Sequence, residues 1–312
     1  MRLSAGCFGK LPIHGDFIRH NVGPEVDKLD EWIQGGIVSS RNAMGSAWDS
    51  SFDGTPPHRF LYQAGGGRVV AGLITSSIDK AGRRYPFFVF TILDPKTMGG
   101  QITALPAVLS SFFARAEEEA KTGWQGLDLK SFFVRIDSLA LPSDFEEGKQ
   151  SIITFVAGQT NQAFWNGLFG SDQDPRKFML IHNLVETLKG GAVPRYALRF
   201  PRVTGDAEVS FWLELCRRLA RRATLPTLAM WGGGREGAES GLTLVFDDLK
   251  VNYFTPFWWP ERKNNLLFPL ADAVAAAAPD PRLQQAKDRY APILDDGAMR
   301  LSTLMVKLGS PG

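Results

Sequence analysis

The sequence predicts an α/β fold in which a mixed, largely antiparallel sheet is flanked by helices on both sides, a three-layer α/β/α arrangement that is not a Rossmann fold. One observation is a hairpin signal: residues 59–64 and 69–75 are apolar runs on either side of a Gly-Gly-Gly-Arg turn. The second observation is that further strands and helices interleave without a strict β-α-β order. The absence of a strict β-α-β order favours antiparallel neighbouring strands over the parallel, helix-connected strands of a doubly wound sheet.

In the first half of the chain, helices are predicted both before and after this hairpin in the sequence. Residues 26–37 carry apolar side chains at helical spacing, with Gly45 as the stop. Residues 105–116 and 129–139 repeat the same periodicity, whereas residues 85–93 form a largely apolar run that indicates a third strand. We therefore expect one helix before the hairpin and two helices after the third strand.

The second half alternates between short apolar runs and helical stripes. A break at Leu141-Pro142-Ser143-Asp144 separates it from the first half. Asp174-Pro175 is a helix start with an acidic cap and a proline in the first turn, and Asp206 is the predicted cap of a later helix. The predicted strands cover residues 151–156, 196–200, 227–231 and 242–246, and the predicted helices cover residues 174–188 and 206–219.

These elements indicate an N-terminal half over residues 1–145, a second half over 150–262, and a tail over 263–312. In the tail, residues 272–281 are Ala- and Pro-rich and indicate a linker or a short helix. The tail ends in an apolar helical stripe, which we expect to pack against the second half because the tether is short. Residues 254–260 hold four aromatics and two prolines. We interpret them as an irregular segment laid over the core, with an exposed contact patch as the alternative. The terminal stripe comprises Leu301, Leu304, Met305 and Leu308.

The composition indicates a soluble globular protein. The chain has 312 residues, of which 44% are hydrophobic and 22% charged, and its net charge is +2. Neither sign dominates, so nothing favours a nucleic-acid or anionic-membrane partner, and no apolar run approaches the roughly 20 residues of a membrane span. The two cysteines, Cys7 and Cys216, lie far apart, which is typical of a reducing compartment. The first residues carry no apolar signal sequence, so we expect a cytoplasmic location.

The most informative stretch is residues 8–19, Phe-Gly-Lys-Leu-Pro-Ile-His-Gly-Asp-Phe-Ile-Arg. Gly9 and Gly15 permit a positive φ or a close backbone approach, and Pro12 fixes φ between them. A loop so constrained presents its charged side chains in a defined geometry. The charged and polar side chains on this loop are Lys10, His14, Asp16 and Arg19.

A second polar loop covers residues 76–87, Ser-Ser-Ile-Asp-Lys-Ala-Gly-Arg-Arg-Tyr-Pro-Phe. Its Asp79 and Arg83 are four positions apart in a Gly-containing turn, which favours a local ion pair that makes the loop rigid. We expect these residues to join the first loop in one cluster at one end of the sheet. Such a cluster either locks the loops, forms a docking surface, or forms an enzyme site, and a merely structural network is common. The cluster is predicted to contain Lys10, Asp16, Asp79 and Arg83.

The chain carries no recognisable catalytic, cofactor or metal motif. Residues 9–16 differ from a phosphate-binding loop because Asp16 follows the second glycine, where it would repel phosphate. His14 and Asp16 are a potential metal-ligand pair, but no further ligands at metal-site spacing accompany them, and a loop Asp more often bonds its own backbone. No Gly-x-Ser-x-Gly elbow is present. We therefore expect a protein that is not an enzyme and needs neither cofactor nor metal, with a small hydrolase using His14 and Asp16 as the alternative.

The two loops resemble the motifs of the TagF family of bacterial type VI secretion accessory proteins. The first loop is similar to the family pattern GKLPxxGDFxxR, and the second is similar to PSxDxxGRxFP, with Ser76 in place of the leading proline and Tyr85 as the aromatic. A looser similarity in the second half extends the resemblance over residues 5–250. The residues that the resemblance marks as partner-binding or structural are Gly9, Lys10, Pro12, His14, Gly15, Asp16, Phe17, Arg19, Asp79, Gly82, Arg83 and Tyr85.

The family resemblance implies a regulatory function. TagF-family proteins are posttranslational repressors of type VI secretion and are linked to a scaffold with a forkhead-associated (FHA) domain. The resemblance therefore implies a cytoplasmic regulator that binds this FHA-domain scaffold and sequesters it from the membrane apparatus. A homo-oligomeric structural component of the secretion apparatus is a further alternative, and the sequence leaves open whether the chain forms a homodimer.

Overall fold

Within the residues that the computed structural model describes, nine strands form one mixed sheet. The described residues are 4–94, 96, 101–142, 145–191, 193–221, 226–232, 240–260, 262, 264–271 and 280–309. The strands are β1 (Ala5–Gly9), β2 (Ile18–His20), β3 (His58–Gln63), β4 (Val69–Thr75), β5 (Phe87–Leu93), β6 (Ala197–Arg202), β7 (Leu228–Gly232), β8 (Gly241–Val245) and β9 (Leu267–Pro269). Their order is β2-β1-β5-β4-β3-β7-β8-β6-β9, with β6–β9 parallel and the other neighbouring pairs antiparallel. The predicted largely antiparallel mixed sheet is confirmed.

Helices connect and cover the strands. The α-helices are α1 (Asp27–Met44), α2 (Trp48–Asp53), α3 (Leu105–Val108), α4 (Ser110–Glu118), α5 (Leu129–Asp137), α6 (Glu146–Gly158), α7 (Asn161–Phe169), α8 (Arg176–Leu188), α9 (Asp206–Ala220), α10 (Phe254–Trp258), α11 (Pro281–Leu294) and α12 (Leu301–Gly309). As predicted, α1 ends before Gly45, and α8 begins after Asp174, whose carboxylate accepts a hydrogen bond from the Arg176 N–H at 2.9 Å. None of the helices described combines the length and the apolar character that crossing a membrane requires.

The strands turn alternate side chains toward two separate cores. On β3, Phe60 and Tyr62 enter the core that also contains side chains of α1, α2 and α10, whereas Leu61 enters the core on the opposite face. Side chains from the other long helices, α4 to α9 with α11 and α12, fill that opposite core. The sheet therefore lies between two helical layers, which confirms the predicted three-layer α/β/α arrangement.

The sheet continues across the predicted boundary between the two halves. Strand β3 pairs with β4 of the first half and with β7 of the second, so that Leu61 lies opposite both Ala71 and Ala229. Residues 143 and 144 of the predicted break lie outside the described residues. The division into halves stays a prediction about the sequence, while strands of both halves share one hydrogen-bonded sheet.

The strand predicted over residues 151–156 is wrong. These residues lie inside α6, where Ile152, Phe155 and Val156 face the core at i, i+3 and i+4 spacing, and Ile153 is 55% exposed. A short apolar run is compatible with a strand and equally with one face of a helix. The acidic first turn of α6 adds a preference for the helix, because it complements the positive end of the helix dipole.

The described parts of the tail are integrated into the fold on both sides of the predicted linker. Strand β9 extends the sheet beside β6, and α11 packs against α8. The apolar stripe of α12 is buried against α9, α6 and α7, which confirms that it packs on the second half. The Ala-rich residues 272–279 lie outside the described residues.

The aromatic segment at residues 254–260 covers the core under α1 and α2. All four of its aromatic side chains are buried, so the alternative of an exposed contact patch is contradicted. The expectation of irregular structure is also wrong, because α10 forms within this segment. Its Pro256 lies in the first helical turn, where a missing N–H removes no intrahelical hydrogen bond.

Helix α9 begins at Asp206, but this residue is not the cap that the sequence predicts. Its carboxylate accepts hydrogen bonds from the Arg59 guanidinium at 2.5 Å and from the Trp231 indole N–H at 2.7 Å. Asp206 therefore ties the start of α9 to strands β3 and β7.

Candidate functional site

The two motif loops leave the sheet at the same end. Gly9 at the end of β1 pairs with Phe87 at the start of β5, and Phe87 also pairs with Thr75 at the end of β4. The first loop (residues 10–17) and the second loop (residues 76–86) therefore begin or end at adjacent positions of neighbouring strands. Their closeness follows from the strand register.

Backbone hydrogen bonds join the loops directly. The Lys80 N–H donates to the His14 carbonyl at 2.9 Å. The Arg83 guanidinium donates to the Gly15 carbonyl at 2.5 Å. The sequence prediction that the two loops are neighbours in space is confirmed.

Asp79 of the second loop is the centre of these contacts. Its Oδ2 accepts hydrogen bonds from Lys10 Nζ at 2.9 Å and from Arg83 Nε at 2.7 Å. Its Oδ1 accepts from the backbone N–H groups of Ala81 at 3.0 Å and Arg83 at 2.9 Å. Gly82 completes the turn by donating its N–H to the Asp79 carbonyl at 2.9 Å. We call the three side chains Lys10, Asp79 and Arg83 the Asp79 cluster.

The pKa of Asp79 reflects two opposing effects. Burial raises it, because the ionised carboxylate loses water, whereas the hydrogen bonds from Arg83 and Lys10 and the positive charge of Lys10 lower it. The hydrogen bonds outweigh burial, so the pKa of Asp79 lies well below the ordinary range of an aspartate. The carboxylate is ionised at neutral pH and forms a buried ion pair with Lys10.

The Asp79 cluster has a buried inner part and an exposed outer part. Asp79 and Lys10 are 1% and 6% exposed, whereas the Arg83 side chain is 59% exposed. The Lys10 ammonium also lies 5.1 Å from the centre of the Phe17 ring, within the range of a cation–π contact. Phe17 and Ile78 are large apolar side chains that are 38% and 37% exposed. We call the exposed residues Gly15, Phe17, Ile78 and Arg83 the outer face.

The backbone requires one of the two motif glycines and not the other. Gly9 has a φ of 120°, and a Cβ built on it would lie 2.0 Å from the Pro86 carbonyl oxygen. Gly15 has no heavy atom within 4 Å of such a Cβ, and its φ lies outside the left-handed region. The expectation of a special backbone is therefore correct for Gly9 and wrong for Gly15.

Tyr85 links both loops to helix α1. Its ring meets the Phe17 ring edge-on, with 4.8 Å between the centroids, and its hydroxyl donates a hydrogen bond to Asp30 of α1. Burial, and then the Asp30 carboxylate, raises the pKa of Tyr85, so the hydroxyl stays protonated. Arg19 lies outside the Asp79 cluster, with its guanidinium 5.0 Å from the centre of the Phe8 ring.

Asp16 does not belong to the Asp79 cluster, contrary to the sequence prediction. It is exposed and accepts a hydrogen bond from the Phe17 N–H at 2.8 Å. No ion pair within the described part of the chain joins it to Lys10 or Arg83. The physical reason is that the neighbouring backbone N–H and the surrounding water already satisfy the hydrogen-bonding capacity of this exposed loop aspartate.

His14 and Pro12 shape the first loop through the backbone. The His14 N–H donates to the Leu11 carbonyl at 3.1 Å across the turn that contains Pro12. Among the described residues, no hydrogen bond joins the His14 imidazole to Asp16, and no group of three or more His, Cys, Asp or Glu side chains is arranged to hold a metal. The structure therefore brings together Lys10, Asp79 and Arg83, and it leaves His14 and Asp16 apart.

Replacing Asp79 by alanine is expected to lower the melting temperature by about 5 to 8 °C. The reason is that Lys10 would remain as a buried charge without its carboxylate. Differential scanning calorimetry measures the change. The double variant Lys10→Met/Asp79→Leu removes both charges and should recover most of the loss. The exposed Asp16→Ala is the matched control, and equal melting of Asp79→Ala and the control would contradict a structural role for the ion pair.

The match of residues 6–139 to a family model covers both loops and the Asp79 cluster. The model is that of the TagF N-terminal domain, described as type VI secretion system-associated. These residues thus define a type VI secretion system-associated protein. Residues 6–139 of the chain match this TagF N-terminal domain.

The fold is also similar to that of a solved structure, the crystal structure of PA0076 from Pseudomonas aeruginosa PAO1. The TM-score is 0.54 and the sequences are 21% identical, with 85% of this chain and 99% of that chain covered. At this level of identity the similarity shows a common fold. No curated protein matches the chain.

Proposed function

We propose that this chain is a cytoplasmic posttranslational repressor of a bacterial type VI secretion system, which acts by binding and sequestering an FHA-domain scaffold of that system. The match of residues 6–139 to the TagF N-terminal domain and the motif residues of both loops support the proposal. The proposed action is binding alone, with no covalent step and no cofactor. A repressor of this kind needs a surface that is ordered before its partner arrives.

The observation that carries the proposal is the outer face held by the Asp79 cluster. The buried ion pair of Lys10 and Asp79 fixes the two loops, and the guanidinium of Arg83 is fixed by Asp79 on one side and by Gly15 on the other. Because these groups are already ordered, binding a partner costs little further conformational entropy. Apolar side chains and an arginine on such a rigid surface are typical of residues that dominate binding energy.

Sequestration sets a requirement on affinity. A scaffold present near 1 µM is depleted when the Kd is about 0.1 µM or lower, which corresponds to about −9.5 kcal/mol or stronger. Exposed ion pairs contribute only about 0 to 1 kcal/mol each. The exposed apolar side chains Phe17 and Ile78 are therefore expected to supply most of the binding energy, with Arg83 giving orientation.

Gly15→Trp is expected to abolish binding to the FHA-domain scaffold while leaving the melting temperature unchanged. Position 15 is exposed with open space around it, so a large side chain fits the free chain but projects from the outer face. Purified full-length chain and scaffold from the same bacterium are mixed and measured by isothermal titration calorimetry. We expect the Kd to rise by about 100-fold or more, as for a side chain that blocks the centre of an interface.

Gly167→Trp is the matched control for this experiment. Gly167 is an exposed glycine of α7 in the second half of the chain, and the space that a Cβ would occupy there is also open. The control should bind like the wild type. Equal affinity of Gly15→Trp and the wild type would exclude the outer face as the docking surface, and an absence of binding by the wild type would contradict the proposed partner.

A further inference from the structure

A second surface feature lies at the opposite end of the strands from the motif loops. It is a groove of about 660 Å³ between α1, the end of β3 and the segment that follows β8. Strand β3 begins at His58, opposite Ile74 of β4 next to the second loop, and ends at Gln63 beside the groove. The groove volume is in the range of small-molecule sites. We call it the Tyr62 groove, and the lining residues that matter are Lys28, Glu31, Trp32, Tyr62, Asp248 and Val251.

Tyr62 places an unused polar group in this groove. Its side chain is almost completely buried, at 5% exposure, yet its hydroxyl forms no hydrogen bond with any residue that the structure describes. Burial, followed by the nearby charges of Asp248 and Glu31, raises the pKa of Tyr62, so the hydroxyl stays neutral. Because this hydroxyl is not one of the described polar atoms that are sealed from solvent without a partner, it is open to the groove, where a ligand atom can form a hydrogen bond with it.

The groove has an excess of negative charge. Glu31 of α1 and Asp248 of the segment after β8 are exposed carboxylates that line the groove, and no ion pair to either is present within the described parts of the chain. The adjacent Asp247 differs, because Lys250 neutralises it at 2.6 Å. Lys28 is the lining cation, so two carboxylates face one ammonium and the net charge of the lining side chains is −1.

The walls of the groove are apolar and rigid. Trp32 is fixed by the hydrogen bond from its indole N–H to the Lys250 carbonyl at 2.9 Å and by edge-on packing against Phe254 and Phe257. Val251 adds an aliphatic side chain that is partly exposed. An aromatic and aliphatic wall next to two carboxylates suits a cation on an alkyl chain better than a bare metal ion, which needs several oxygen ligands around it.

We propose that the Tyr62 groove binds an organic cation, a primary ammonium or guanidinium group on a short alkyl chain, through the Tyr62 hydroxyl and the carboxylates of Glu31 and Asp248. The alkyl chain lies against Trp32 and Val251. Such a cation is supplied either by a lysine or arginine side chain of a protein segment or by a free diamine. The inference is independent of the proposed function, since it concerns the other end of the sheet.

Saturation-transfer NMR on the full chain tests the proposal with four probes: N-acetyl-arginine methyl amide, N-acetyl-lysine methyl amide, putrescine and uncharged N-acetyl-norleucine methyl amide. We expect a Kd of about 0.1 to 1 mM for the cationic probes, as their size allows. The norleucine probe should not bind. Tighter binding of the amino-acid amides than of putrescine identifies a protein side chain as the source, and the reverse order identifies a free diamine.

Tyr62→Phe and the double variant Glu31→Gln/Asp248→Asn identify the contacts. Each is expected to raise the Kd by about fivefold or more, because each removes a polar or charged contact. Glu147→Gln removes an exposed carboxylate of α6 and is the matched control, which should bind like the wild type. Tyr62→Phe keeps the ring and should fold normally. Binding of the norleucine probe as tight as that of the cationic probes, or unchanged affinity in both groove variants, would overturn the proposal. The experiment needs no scaffold protein, so its result is separate from that of the FHA experiment.

Discussion

Gly9→Ala is expected to lower the free energy of unfolding by more than about 4 kcal/mol, a large part of the stability of a typical domain. Two costs combine at this position. A φ of 120° is open to glycine and strained for alanine, and the added Cβ would lie 2.0 Å from the Pro86 carbonyl oxygen. Relief requires β1 to move away from β5, which breaks the register of Gly9 with Phe87. Urea unfolding followed by tryptophan fluorescence measures the loss.

Gly15→Ala is the matched control within the same motif. Space around position 15 is open and its φ is compatible with alanine, so we expect a change within about 1 kcal/mol, in the stabilising direction. Comparable losses in the two variants would show that the motif loop, and not the local backbone of Gly9, determines the result. A stable Gly9→Ala protein would contradict the close approach of β1 and β5.

Local patterns in the sequence predict strands β3 to β8 because these patterns depend on neighbours along the chain, whereas no such pattern predicts β1, β2 or β9. The hairpin of β3 and β4 follows from two apolar runs and the glycines between them, and α1 follows from its apolar spacing and its glycine stop. The two loops meet because the strands that they follow, β1 and β4, both pair with β5. Lys10 and Asp79 are 69 positions apart, and their contact still depends on that local strand order.

The errors occur where local signals are ambiguous or weak. The apolar run in α6 fits a strand equally well, and the sequence pattern does not predict α7, because Asn166 and Gly167 lower its helix propensity. Its capping residue Thr160, which accepts a hydrogen bond from the Ala163 N–H at 3.2 Å, is the signal that identifies it.

The partners that anchor the site from outside the motifs could not be found from sequence. Tyr85 bonds Asp30 across 55 positions, and Arg59 bonds Asp206 across 147 positions. Neither pair has a spacing or motif that indicates contact, since only the packing of helices on the sheet brings them together. The Tyr62 groove has the same origin, because α1, β3 and the segment after β8 form it jointly.

Removing residues 301–312, and with them α12, is expected to leave a protein that aggregates or melts far below the wild type. The helix buries Leu301, Leu304, Met305 and Leu308, and full burial of four such side chains contributes roughly 6 to 12 kcal/mol before ordering costs. That sum is comparable to the whole stability of a typical domain. Truncation would also expose the apolar surface of α6, α7 and α9 that the helix covers. Thermal melting and size-exclusion chromatography with light scattering measure both effects.

Single substitutions in α12 keep this prediction testable if the truncated chain cannot be purified. Leu301 is completely buried, so Leu301→Ala should cost about 2 to 5 kcal/mol in the free energy of unfolding. Val306 is 53% exposed on the same helix, and Val306→Ala should change the free energy of unfolding by less than about 0.5 kcal/mol. The hydrogen bond from Arg300 to the Gly158 carbonyl, at 3.0 Å, holds the start of the helix to α6 and persists in both variants. Equal stability of Leu301→Ala and Val306→Ala, together with unchanged melting of the truncated chain, would show that α12 contributes nothing to the core and is free for another partner.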